Sequence, residues 1–337
     1  MLKFNEAEYR NNCKLILDTK EQIKSVADEV TAQGFKNLFL VAVGGTRAVM
    51  LEIGKISKQL TTLPVYIEQA SELVLEGNKN LSKDSIVITM SKSGDTKETV
   101  AAAKWCKEQD IRVIAVVGSE NSLLQKYSDW YIPNRASNDE VEFEYVQLLL
   151  LFFRLLHNRG EFDAYDKLAE QLEHFPDDLV KAKEKFDPRA AEIAKKYYSE
   201  PYIMFIGGGE LWCDVYLFSM CIMEEMQWIK TKSVTSAEFF HGSLELVDDS
   251  VCVFLVKGEG KTRALDERAE RFLKDHTKKL VVIDTKDFAL DGIDESFRWF
   301  LAPLITSTIL TERLSIHFEA NTKHDLSYRR YYRQFDY

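Results

Sequence analysis

The chain has few cysteines and no long uninterrupted hydrophobic run. Its five cysteines are an odd number without Cys-x-x-Cys spacing, which argues against a disulfide framework or a zinc site and fits a reducing compartment. The longest strongly apolar stretch, residues 146–156, contains Gln147 and Arg154 and is shorter than the roughly 18 residues that span a bilayer. The first residues lack the apolar core of a secretory signal. We therefore expect a cytoplasmic protein without a membrane partner.

Basic segments are scarce as well. Lysine and arginine number 44 against 54 aspartate and glutamate residues, which gives a net charge of −10. We find no basic run with interleaved aromatic residues of the kind that binds a nucleic-acid backbone. Nucleic acid is therefore not an expected partner.

An internal repeat dominates the sequence. An apolar run at 38–43 leads into Gly44-Gly45 and a helical pattern, and a second run at 202–206 leads into Gly207-Gly208-Gly209 and another helical pattern. In each half, further strand-like runs then alternate with helical stretches, which predicts parallel sheets covered on both faces. The fold class is therefore predicted to be α/β, with two doubly wound parallel-sheet domains in tandem.

The repeat and the polar stretches around it predict five segments. These are an N-terminal segment at 1–20, a first domain at 21–155, a helical linker at 156–189, a second domain at 190–320 and a C-terminal tail at 321–337. Asp187-Pro188 is predicted to begin the first helix of the second domain.

One loop of the first half has the composition of a phosphate site. Ser91-Lys92-Ser93-Gly94-Asp95-Thr96 lies between the apolar run 86–90 and a predicted helix from residue 97. Hydroxyls and backbone N–H groups at a helix N-terminus favour an anion, although the same residue types are common helix caps. The second half has Val256 and Gly258 where Ser91 and Ser93 stand in the first. A single phosphate site, in the first half, is therefore predicted, and Thr46 is expected to reach the same crevice.

Gly44-Gly45-Thr46 followed by Ser91-x-Ser-Gly-x-Thr96, in a duplicated α/β chain, resembles the sugar isomerase (SIS) domain family. The resemblance covers nearly the whole chain and implies two SIS domains. It implies substrate contacts from six residues: Gly45, Thr46, Ser91, Ser93, Gly94 and Thr96. The chain has no N-terminal nucleophilic cysteine like that of the related glucosamine-6-phosphate synthase, so ammonia transfer from glutamine is not expected.

Four further segments resemble the bacterial fructosamine-6-phosphate deglycases, which split 6-phosphorylated sugar adducts of amino acids. They are Met223-Glu-Glu-Met-Gln-Trp-Ile229, Ser236-Ala-Glu-Phe-Phe-His-Gly242, Thr262-Arg-Ala-x-x-Glu-Arg268 and Ser327-Tyr-Arg-Arg-Tyr331. The second is most similar to the glucoselysine-6-phosphate deglycase. The resemblance implies a homodimer, or a dimer of dimers, with shared active sites.

The same resemblance implies a general base at Glu225 and a general acid at His241. Glu238, three residues before His241, is a rival carboxylate that we assign to hydrogen bonding and count among the substrate-binding residues. Glu225 lies late in an apolar stretch, 217–229, and is expected to be a buried helical carboxylate. A histidine can take or give a proton near neutral pH. Whether His241 acts within its own chain or across the dimer is left open.

The chain departs from the family patterns at several positions. Ile222 replaces the ring-opening lysine of the synthase, Ser243 a usual proline, Lys92 a frequent histidine, and Arg47 a small or aromatic residue. These departures leave the identity of the amine, and the choice between a fructose and a glucose adduct, open.

The expected reaction is hydrolysis of a glucoselysine-6-phosphate or fructoselysine-6-phosphate type of conjugate through an enaminol and an imine. Proton transfer by one base and one acid requires no metal, and no cofactor is predicted. Two alternatives remain: an aldose–ketose isomerase or aminosugar deaminase on a phosphosugar, and a non-catalytic phosphosugar-binding protein.

Overall fold

The computed structural model describes residues 1–136 and 140–335. The chain forms two compact units. The N-terminal unit is Asn5–Pro176, and the C-terminal unit is Met1–Phe4 with the chain from Asp177 onward. Each unit has its own parallel sheet flanked by helices, which confirms the predicted α/β class with two such domains in tandem.

The N-terminal unit is built on a sheet that has five strands within the described residues, in the order β2-β1-β3-β4-β5, all parallel. The strands are β1 Asn37–Ala42, β2 Val65–Gln69, β3 Ser85–Ser91, β4 Arg112–Val117 and β5 Trp130–Pro133. The helices are α1 Glu6–Leu17, α2 Lys20–Gln33, α3 Gly44–Leu60, α4 Ala70–Glu76, α5 Lys97–Glu108, α6 Leu123–Lys126, α7 Val141–Asn158 and α8 Tyr165–Gln171.

The C-terminal unit is built on a sheet that has four strands in the described part of the chain, in the order β7-β6-β8-β9. The strands are β6 Ile203–Gly207, β7 Thr231–Val234, β8 Cys252–Lys257 and β9 Lys279–Asp284. The helices are α9 Phe175–Tyr197, which begins just before the unit does, α10 Trp212–Leu217, α11 Arg263–His276, α12 Arg298–Ile309 and α13 Ser315–Thr322. Two π-helical segments, Phe218–Glu224 and Leu310–Leu314, continue α10 and α12.

The internal repeat is visible in the sheets, because β7-β6-β8-β9 repeats the order β2-β1-β3-β4. The central strands β1, β3, β6 and β8 are buried along their whole length, whereas β2 is half-buried. Parallel strands covered on both faces require such continuous apolar runs. The hydrophobic core of each unit therefore lies on the strands that the sequence marks most clearly.

The longest apolar stretch, 146–156, is the buried part of α7. Its two polar interruptions have partners within the same unit: the Gln147 amide donates to the Pro133 carbonyl at 2.9 Å, and Arg154 forms an ion pair with Asp28 at 2.7 Å. Across the described ranges, no helix combines the length and the apolar character needed to cross a bilayer.

The prediction that Asp187-Pro188 begins a helix is wrong. Both residues lie inside α9, which begins at Phe175. Buried apolar residues continue at helical spacing on both sides of the proline, at Phe186 and Ala190, so packing outweighs the loss of one backbone N–H. Asp187 accepts a hydrogen bond from Arg313 at 3.1 Å and therefore does not act as a helix cap.

Candidate functional site

The loop between β3 and α5 places two hydroxyls side by side. Ser91 Oγ lies 2.9 Å from Thr96 Oγ1 and accepts a hydrogen bond of 3.0 Å from the Gly94 amide. Thr96 precedes the first turn of α5, yet within the described residues its side chain makes no capping hydrogen bond. The hydroxyls lie at a helix N-terminus without serving as caps, an arrangement that suits an anion.

Gly94 determines the path of this loop. Its φ of +70° is in the left-handed region, and a Cβ atom there would overlap Ser122. The Leu124 amide donates to the Gly94 carbonyl at 3.0 Å, and Ser93 donates to Asp95 in the same turn. The loop is therefore held in shape by its own contacts and by α6.

Thr46 lies in the first turn of α3, directly after β1. The helix begins at Gly44, whose φ of +55° lies in the left-handed region that favours glycine. Thr46 Oγ1 donates to the Val43 carbonyl at 2.9 Å. Since β1 and β3 are adjacent and parallel, the loop that starts with Gly44, Gly45 and Thr46 lies at the same sheet edge as Ser91.

The corresponding edge of the C-terminal unit contains a buried carboxylate. Glu210 is 3% exposed, and its Oε1 accepts hydrogen bonds from the amides of Glu259 at 2.9 Å and Gly260 at 2.7 Å. Burial raises the pKa of the Glu210 carboxyl, and these N–H bonds oppose the rise. The carboxyl group of Glu210 is thus the hydrogen-bond acceptor for two backbone amides of the second loop.

The two loops correspond with an offset of one residue from the predicted alignment. Ser91 ends β3 and Lys257 ends β8, so Lys257 stands in its place rather than Val256. Gly209 has a φ of +57°, close to that of Gly44 in the first half. Glu210 therefore stands at the position of Gly45. The second loop has Lys257 and Glu259 in place of Ser91 and Ser93, whereas Thr262, which precedes α11, stands in place of Thr96.

Glu225 lies where a helix changes its hydrogen-bonding pattern. The predicted single helix over 217–229 is instead α10, ending at Leu217, followed by the π-helical segment Phe218–Glu224. The Glu225 amide donates to the Met220 carbonyl, five residues earlier, at 3.1 Å. The Glu225 side chain is 35% exposed, so the expectation of a buried carboxylate is corrected.

A cavity of about 620 Å³ lies beside this carboxylate, within the size range of small-molecule sites. At the wall of this cavity, Arg329 Nε donates a hydrogen bond of 2.9 Å to Glu225 Oε1. The lining comes from the end of the π-helical segment, from the residues between it and the start of β7, and from the C-terminal tail: Glu224, Glu225, Trp228, Ile229, Lys230, Thr231, Arg329, Arg330, Tyr331 and Tyr332.

The tail is attached to the segment that carries Glu225. The Gln227 side-chain Nε2 donates to the His324 backbone carbonyl at 2.7 Å, and the Thr322 hydroxyl donates to Gln227 Oε1 at 2.8 Å. The rings of Trp228 and His324 pack edge to face at 4.3 Å. The sequence analysis gave Arg329 no role; the signal that could have indicated one is its place in the segment Ser327–Tyr331, which resembles the deglycases.

His241 and Glu238 lie on an exposed turn after β7. The turn is anchored by the buried ring of Phe239 and by Ser236, which donates to Asp266. Burial raises the pKa of the Asp266 carboxyl to about 6. Neither His241 nor Glu238 is among the residues that line the cavity at Glu225, so the structure does not bring the predicted acid and base together there.

Metal-ligand clusters are absent from the described ranges: no three His, Cys, Asp or Glu side chains are arranged to hold an ion. All five cysteines are free thiols. Cys221, one turn before Glu225, is kept protonated because burial raises its pKa to about 12.

Comparison with known proteins adds three findings. Residues 34–151 match the model of the SIS domain. The chain is 28% identical to fructosamine deglycase FrlB of Bacillus subtilis, over 94% of this chain and 97% of that one, and 23% identical to the agropine synthesis conjugase of Rhizobium rhizogenes, over 95% and 92%. A crystal structure of a Bacillus subtilis protein named as a phosphosugar isomerase superposes with a TM-score of 0.90 at 27% identity, covering 94% of this chain and 97% of that chain.

Proposed function

We propose that this chain, which belongs to the SIS domain family, is a cytoplasmic deglycase that hydrolyses a 6-phosphorylated sugar–amino acid conjugate to a hexose 6-phosphate and the free amino acid. The similarity to a fructosamine deglycase over almost the full length of both chains supports a phosphosugar-processing enzyme. Lysine is the proposed amino acid, because the segment around His241 resembles the glucoselysine-6-phosphate deglycase.

The observation that carries the proposal is the pairing of Glu225 with Arg329 at the wall of a substrate-sized cavity. A carboxylate held in one orientation by a guanidinium is positioned to accept a proton. For a fructose adduct, Glu225 would take a proton from C1, next to the C2 carbonyl, which gives an enaminol. Protonation at C2 then gives a C1 imine, and addition of water releases the amine.

We assign the 6-phosphate to the loop of Ser91, Ser93, Gly94 and Thr96, together with Gly45 and Thr46. The paired hydroxyls of Ser91 and Thr96 at the start of α5 support this assignment. The Glu225 carboxylate could not bind a phosphate, since like charges repel. In this proposal, one loop binds the phosphate and a different segment carries the residue that transfers the proton.

Product analysis tests the proposal. The purified chain is incubated with 6-phosphorylated fructoselysine and glucoselysine, and free lysine and hexose 6-phosphate are measured. Release of both products in equal amounts is expected, and the unphosphorylated conjugates should be poor substrates. Interconversion of phosphosugars without amine release would instead support the isomerase alternative, and tight binding without turnover would support a phosphosugar-binding protein.

We further propose that His241 is the general acid and that it acts in the active site of a neighbouring subunit. Its exposure on an anchored turn, outside the lining of the Glu225 cavity, is compatible with such a role. Refolding a mixture of Glu225→Ala and His241→Ala chains should give mixed dimers in which one of two sites has both residues. Activity should recover to roughly a quarter of wild type. No recovery from confirmed mixed dimers would place both residues in one chain.

A further inference from the structure

The cavity at Glu225 has more positive charge than its own carboxylates neutralise. Lys230, Arg329 and Arg330 line it against Glu224 and Glu225. Arg329 is already paired with Glu225. Over residues 1–136 and 140–335, neither Lys230 nor Arg330 lies within ion-pair distance of a carboxylate. In a chain whose net charge is −10, this local excess marks a place for an anion.

Arg330 is held against an aromatic ring. Its guanidinium carbon lies 4.2 Å from the centre of the Trp228 ring. Trp228 has a φ of +55° and packs against His324, so the ring that supports Arg330 is itself fixed. A guanidinium stacked on a ring can still direct the N–H groups at its edge toward a carboxylate, with two parallel hydrogen bonds.

The proposed substrate has two kinds of anionic group. One is the phosphate, which is assigned to the loop at Ser91. The other is the carboxylate of the amino acid, and it lies on the amine side of the bond that is broken. Glu225 is proposed to act at the carbon that bears the nitrogen, so the groups that share its cavity are placed to contact the amine side.

We propose that Arg330, stacked on Trp228, binds the carboxylate of the amino acid portion of the substrate and makes the enzyme selective for amino acid adducts over adducts of simple amines. This inference rests on the proposed deglycase function. Lys230 adds a second positive charge to the same cavity.

Two matched substrates test the inference. One is the 6-phosphorylated fructose adduct of the lysine side-chain amine, and the other is the adduct of pentane-1,5-diamine, which lacks the carboxylate. The wild-type kcat/KM is expected to be about 10–100-fold higher for the lysine adduct, as for one charge-assisted contact. Arg330→Gln should lower only the value for the lysine adduct, and Trp228→Leu should do so in part. Arg333→Gln, outside the cavity lining, should retain the preference.

Equal kcat/KM for the two adducts in the wild type, or an unchanged preference in Arg330→Gln, would overturn the inference while amine release from both would still uphold the deglycase. Binding of both adducts to Glu225→Gln, measured by calorimetry, gives the same comparison without turnover. If neither adduct is cleaved by the wild type, the proposed function fails, and the calorimetric preference still decides whether Arg330 selects a carboxylate.

Discussion

The loops at equivalent sheet edges of the two units differ in their polar groups: one has hydroxyls, and the other contains a buried carboxyl group. In the N-terminal unit, the sheet edge after β1 and β3 has Gly45, Ser91 and Thr96, with the two hydroxyls within hydrogen-bond distance of each other and no side chain at the glycine. In the C-terminal unit, Glu210 stands at the place of Gly45 and its carboxylate accepts the loop amides of Glu259 and Gly260. We propose an external anion for the first loop, whereas the amides of the second loop already have an internal carboxyl group as their acceptor.

The different acceptors at the two loops indicate that the two halves of the duplicated fold have different roles. Backbone N–H groups at a strand-to-helix turn need an acceptor when they are buried. In the proposed function, the N-terminal unit uses hydroxyls and the substrate phosphate as acceptors, whereas the C-terminal unit uses a side chain of its own. The proposal places the acid–base residues, Glu225 and His241, in the C-terminal unit.

The sharpest test of this division removes the proposed base. Glu225→Gln keeps the size of the side chain and a hydrogen bond acceptor for Arg329, but it cannot take a proton. We expect kcat to fall by roughly 10²–10⁴-fold, with the affinity for phosphorylated substrate nearly unchanged. Single-turnover kinetics and calorimetry measure the two effects. Glu192→Gln, exposed on α9 of the same unit, is the control; an active Glu225→Gln would move the base elsewhere, with Glu238 the first candidate.

The first loop is tested by removing its hydroxyls. Ser91→Ala combined with Ser93→Ala should weaken binding of every phosphorylated ligand by about 10–100-fold, because hydrogen bonds to a charged group are lost. The fold should persist, as shown by an unchanged circular dichroism spectrum. Ser128→Ala, in the same unit but away from the loop, should bind normally. Equal affinity of the wild type for phosphorylated and free sugar would contradict the assignment.

The second loop is tested by removing the side chain of Glu210. Glu210→Gly restores the residue of the first half and leaves the amides of Glu259 and Gly260 without their acceptor. The free energy of unfolding should drop by about 2–4 kcal/mol. Inorganic phosphate at constant ionic strength should recover part of this loss in the variant but not in the wild type, measured by urea unfolding. Glu210→Gln keeps an acceptor oxygen and should lose less; its rescue by phosphate to the same extent would argue against a filled anion site.

The smallest effect is expected at Asp266, which supports the turn of His241. Burial raises the pKa of this carboxyl to about 6, so the folded state holds its proton more tightly than the unfolded state does. Its contribution to stability is therefore complete below about pH 4 and is lost as the pH rises through about 6.

Asp266→Asn should remove that dependence. Relative to the wild type, the variant should gain about 2 kcal/mol of unfolding free energy between pH 4 and pH 7, measured by urea unfolding at several pH values. Asp275→Asn, exposed on the same helix, should show no such change. If the difference in unfolding free energy between Asp266→Asn and the wild type is the same at every pH, Asp266 does not titrate in this range.

The sequence by itself predicted the class of fold and the composition of the first loop. The buried strands are continuous apolar runs, and parallel sheets require such runs, so strand positions could be read directly. The repeated glycines and the hydroxyl-rich loop depend on local backbone geometry, which neighbouring residues determine. Sequence comparison within the chain likewise showed that the second loop lacks the two serines. The hydroxyl of Thr262, at the position of Thr96, became evident only from the one-residue offset in the structure.

Contacts between side chains that are distant in the sequence are determined by the tertiary structure. The carboxylate of Glu210 reaches amides 49 and 50 residues away, and Arg329 reaches Glu225 across 104 residues; no local pattern encodes such distances. The π-helical turns before Glu225 and the continuation of α9 through Pro188 depend on packing, which overrides local propensity. Residue types and local turns follow from nearby sequence, whereas the charge and exposure of a site are determined by segments that the fold brings together.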